Sequence, residues 1–71
     1  MRWQIRYSSC EMLYLEVSAQ DVRCYLDHSP EHAHHFTFQE VLDDQVTGEA
    51  KFFFDDVMDE VKNQVRMRMP R

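Results

Sequence analysis

Seventy-one residues make one small domain, and a chain of this length buries only about 60–65% of the surface its unfolded form exposes, so association with a second chain would add stability. With 44% hydrophobic, 13% aromatic and 30% charged residues, it is too apolar for a disordered segment and too charged for a membrane-embedded one. The net charge of −5 opposes nucleic-acid backbones, and no apolar run approaches the roughly 18 residues of a spanning helix.

The N-terminus enters an alternating strand pattern directly, without a charged stub and an oily leader, which reads as a cytoplasmic chain with no membrane segment. Trp3, Ile5 and Tyr7 alternate with Arg2, Gln4 and Arg6; Leu13, Leu15 and Val17 alternate with Met12, Tyr14 and Glu16; Val22, Cys24 and Leu26 alternate with Arg23 and Tyr25. A period of two gives each run one apolar face, hence three strands. Ser8 and Ser9 separate the first two, and residues 18–21 form a turn of hairpin length before the third. Cys10 and Cys24 are too few for a disulfide framework, and two reduced, half-buried thiols are preferred to a single bridge.

His28, Ser29 and Pro30 break the strand pattern, and Ser29 before Pro30 and Glu31 is a helix-start signal. Thr37 with Glu40 three residues on predicts a capping box, with Phe36 stapled onto Val41, and so a short helix from Phe38 to about Asp44. The alternative makes Phe36, Phe38 and Glu40 a fourth strand. Gly48, the only glycine, closes one element and opens the next. Beyond it Ala50, Phe53, Phe54, Val57, Met58, Val61 and Val65 recur at helical spacing, predicting one long helix from Glu49, with a start at Asp55 and Asp56 as the alternative and Pro70 as the stop. Phe52 falls off this stripe. The predicted fold is α+β over residues 1–71: a three-stranded antiparallel β-meander (1–27), a His-rich connection (28–37) and a helical part (38–69) whose short and long helices pack on one face of the sheet.

Three groups of residues can carry function. His28, His32, His34 and His35, with Asp27 and Glu31, are the densest metal-capable collection; in a helix, His28 and His32 would share a face, as would Glu31 and His35. They lack the four stereotyped ligands of a structural zinc site, and a solvent-exposed histidine-rich connection is preferred, with a metal-binding or metal-responsive protein as the alternative. Clustered imidazoles would also repel one another on protonation near about pH 6.

The second group is the outer sheet face, where Met12, Tyr14 and Tyr25 stand with Arg2, Arg6 and Arg23. Rings and guanidinium groups on one sheet face are the chemistry of single-stranded nucleic-acid binders. No RNP motif is present and the acidic chain opposes phosphate, so a protein partner or a second copy suits this face better.

The third group is acidic. Glu40, Asp43, Asp44, Glu49, Asp55, Asp56, Asp59 and Glu60 stand against Lys51 alone, and Lys62, Arg66, Arg68 and Arg71 follow with no acid. Dipole matching along a helix explains part of this order. As a surface, the acids could steer a basic or nucleic-acid-binding protein onto Asp43, Asp44, Glu49, Asp55, Asp56 and Asp59. Met67 and Met69 beside Arg66 and Arg68 read as a docking tail. No nucleophile elbow, glycine-rich loop or HExxH is present, and no cofactor is called for. A non-enzymatic interaction or regulatory module, acting as an adaptor or inhibitor and forming a homodimer, is the expectation.

Overall fold

The computed structural model describes residues 1–69, without the side chain of Glu49; the helix stop at Pro70 lies outside the described residues. Strands β1 (Arg2–Ser8), β2 (Glu11–Val17), β3 (Val22–Leu26) and β4 (His34–Phe36) form one antiparallel sheet in chain order. Alternation sets the first three. Leu13, Leu15, Val17, Val22 and Cys24 are buried on the inner face, and Trp3, Ile5 and Tyr7 pack partly buried beside them.

The sheet has four strands rather than the expected three. Residues 28–37 are not a plain connection: Pro30–His32 forms one 3₁₀ turn, and β4 then pairs Val22 with Phe36, Arg23 with His35 and Cys24 with His34. Three residues are too short for periodicity to register, and the free edge of β3 recruits them. The alternative fourth strand through Phe38 and Glu40 does not form either, because Thr37 ends the extended segment and caps α1 (Phe38–Leu42). The capping box is complete: the Glu40 amide donates to Thr37 Oγ1 at 3.1 Å, and the Thr37 amide donates to Glu40 Oε1 at 2.9 Å.

Asp44 ends that turn in the left-handed region at φ 58°, a conformation that aspartate tolerates better than most residues. The long helix is also corrected. It is broken into α2 (Glu49–Phe54), a 3₁₀ turn (Asp55–Val57) and α3 (Met58–Arg68). Asp55 and Asp56, at the break, are poor helix interior, whereas Asp59 and Glu60 suit the first turn of a new helix and Arg66 and Arg68 its last.

The helical side contributes Val41, Val46, Ala50, Phe54, Val61 and Val65 to the same buried core as the sheet. Phe52, off the predicted stripe, is 77% exposed while Phe54 is 3% exposed. Met69 packs against the core instead of forming a docking tail, while Met67 is exposed. Neither cysteine is in a disulfide, and Cys10 is exposed rather than half-buried.

Candidate functional site

The outer sheet face brings Arg2, Tyr14, Glu16, Arg23 and Tyr25 together, because the register sets Arg2 opposite Glu16, Glu16 opposite Arg23, and Tyr14 opposite Tyr25. The tyrosine rings lie 5.4 Å apart between centroids. Arg2 covers the Tyr14 ring at 4.6 Å and Arg23 lies over Tyr25 at 5.7 Å. Arg23 also pairs with the Glu16 carboxylate, which accepts from Tyr25 Oη at 3.2 Å. That contact, Arg23 foremost, holds the Glu16 carboxyl below its usual range. Arg6 donates to the Ser9 carbonyl at 3.4 Å. The face that reads as a stacking platform is therefore engaged with itself: one guanidinium group lies over each tyrosine ring.

The four histidines do not converge. His28 lies 3.7 Å from Glu11 and 3.8 Å from Asp27, and His32 lies 3.8 Å from Glu31. His34 and His35 are neighbours in β4 and so point to opposite sheet faces. The helical i, i+4 pairs require a helix that the 3₁₀ turn and β4 replace. Among the described residues no three of histidine, cysteine, aspartate and glutamate stand where one metal ion could be held.

The acidic residues are gathered by the fold. Asp44, Asp55 and Asp59 surround a groove of about 350 Å³ floored by Val41, Val46 and Met58, with Lys51 and Lys62 at its sides. Lys62 pairs with Asp44 and holds its carboxyl below the usual range. Asp43 accepts from Gln39 Nε2 at 3.0 Å, and Glu60 accepts from Trp3 Nε1 at 3.2 Å. Asp55, Asp56 and Asp59 form no ion pair among the described residues. The Glu49 side chain lies outside the described residues.

One further feature escapes sequence reasoning. A cavity of about 630 Å³ opens between the sheet and the start of α2, with Leu13, Leu26, Phe36 and Ala50 in its lining and His34 among its polar groups. It is made by elements distant in the chain, so no local pattern announces it.

Comparison with protein-family models, with curated proteins and with solved structures finds no match to this chain. No helix among the described residues is long and apolar enough to cross a membrane.

Proposed function

We propose that the chain is a small cytoplasmic interaction module, an adaptor or inhibitor without catalytic activity, that self-associates and docks a basic segment of a partner protein on its acidic helical side. The observation that carries this reading is the contrast between the two sides. The guanidinium groups of the sheet face have partners within the fold, whereas among the described residues Asp55, Asp56 and Asp59 have no cationic partner within bonding distance. The groove sets three carboxylates against Lys51 and Lys62, and Lys62 is already engaged by Asp44, so it suits a lysine or arginine side chain whose stem packs on Met58 while its charged head meets Asp55 or Asp59. Exposed charge contributes little to stability but raises the encounter rate with an oppositely charged partner.

A short peptide alternating arginine and leucine serves as probe, with a glutamate–leucine peptide as control. Amide shifts on titration should move around Val46, Asp55, Met58 and Asp59, and association should slow steeply as salt is raised past the ionic strength where the Debye length is about 8 Å. Reversing Asp43, Asp56 and Asp59 to lysine should lower the on-rate by about tenfold or more with the fold intact. Shifts confined to Tyr14 and Tyr25, or equal binding of the two peptides, would overturn the reading.

A further inference from the structure

Phe52 is 77% exposed, yet it is held in place. Its ring meets Phe53 edge-on, with 4.9 Å between centroids and 88° between planes, and Phe53 meets Tyr7 of β1 in the same manner at 5.5 Å. A ring already supported on one side loses less freedom when a partner covers the other. Beside it lies a shallow hollow lined by Thr47, Gly48, Lys51, Asp55 and the Phe52 ring itself. Gly48 leaves that space open, since a Cβ placed there would meet no atom within 4 Å. An aromatic knob, a hollow, one cation and one anion thus share a single patch.

A twofold interface is built from the same patch on both subunits, so the patch must complement itself. We propose that the exposed face of α2 is a homodimer interface in which Phe52 of each copy fills the hollow above Gly48 of the other, and Lys51 faces the partner's Asp55. This deepens the reading of the chain as a self-associating module and rests on it. A second copy is the occupant because it supplies knob, hollow and both charges in reciprocal order. The patch alone is smaller than the roughly 1,200–2,000 Å² of a stable interface, so the dimer is a reversible one; the apolar cavity reached past Thr47 and Gly48 extends the area available. Salt also separates this association from docking of a basic partner. Two copies each carrying −5 repel at long range, so screening eases their approach even as it weakens the two Lys51–Asp55 pairs, whereas it only weakens the basic complex.

Sedimentation equilibrium of the intact chain up to about 1 mM is the test. The parent should form a dimer, and Phe52→Ser should weaken it by about tenfold or more. Lys51→Glu and Asp55→Lys should each weaken it by placing like charges opposite one another, and the two changes combined should restore it. All three positions are exposed, and circular dichroism is the check that each variant is folded. A parent that stays monomeric throughout overturns both the interface and the self-associating reading. A dimer that persists unchanged in Phe52→Ser, or charge variants that the double exchange does not rescue, overturns the interface while leaving self-association through another surface.

Discussion

His35 Nδ1 lies 2.9 Å from the Asp21 carboxylate, which also accepts the Ser18 hydroxyl at 2.8 Å, so the short strand β4 is tied to the turn between β2 and β3. These contacts, His35 foremost, hold the Asp21 carboxyl below its usual range, as Arg23 does for Glu16. A carboxyl depressed in the folded state contributes stability that is complete above its unfolded pKa and is lost as pH falls through the folded one. Urea midpoints of the parent should therefore hold from neutrality to about pH 5 and drop below about pH 4. Asp21→Asn and Glu16→Gln should start lower at neutral pH and drop less on acidification. Parallel pH curves for parent and variants would rule out this contribution.

The burial of Phe54 and the exposure of Phe52 set a sharp contrast within one short helix. In dilute solution, Phe54→Ala should cost about 3–5 kcal/mol and Phe52→Ala under about 0.5 kcal/mol, measured by chemical denaturation. Equal losses would mean that α2 presents a different face to the core.

Gly48 has φ +70° and ψ −145°, backbone that L residues avoid, and the open space where an L residue's Cβ would stand separates backbone strain from steric clash. Gly48→Ala should destabilise by about 1–3 kcal/mol. D-alanine introduced at the same position by chemical synthesis should be tolerated, since its preferred backbone mirrors that of L residues. A D-alanine chain as unstable as the L-alanine one would place the cost in packing.

Zinc and nickel should bind no tighter than about micromolar and leave the melting temperature nearly unchanged, because scattered imidazoles offer no shared site whose occupancy is linked to folding. A calorimetric titration checks this. A nanomolar site abolished by His32→Ala or His34→Ala would establish a metal function in place of the docking one.

Local patterns made much of this fold legible. The inward faces of β1, β2 and β3, the Thr37–Glu40 cap, the Phe38 start of α1 and the outward Phe52 all follow from period or from contacts within four residues. The candidate surfaces were legible only as lists of residues. That Arg2 and Arg23 would cover the tyrosine rings, and that Asp44 but not Asp55 would gain a lysine, depends on register and on where α3 returns.

Side-chain periodicity and charge order are properties of neighbours along the chain, and they suffice to specify an α+β chain with one apolar face per strand and an acidic helical half. Tertiary structure alone decided that His34–Phe36 becomes a fourth strand, that the C-terminal helix breaks at Asp55, and that four neighbouring histidines are dispersed. Each of these depends on a partner far along the chain: the open edge of β3 for β4, the common core for α2 and α3, and Asp21 for His35. Such pairings cost chain entropy that only the assembled core repays.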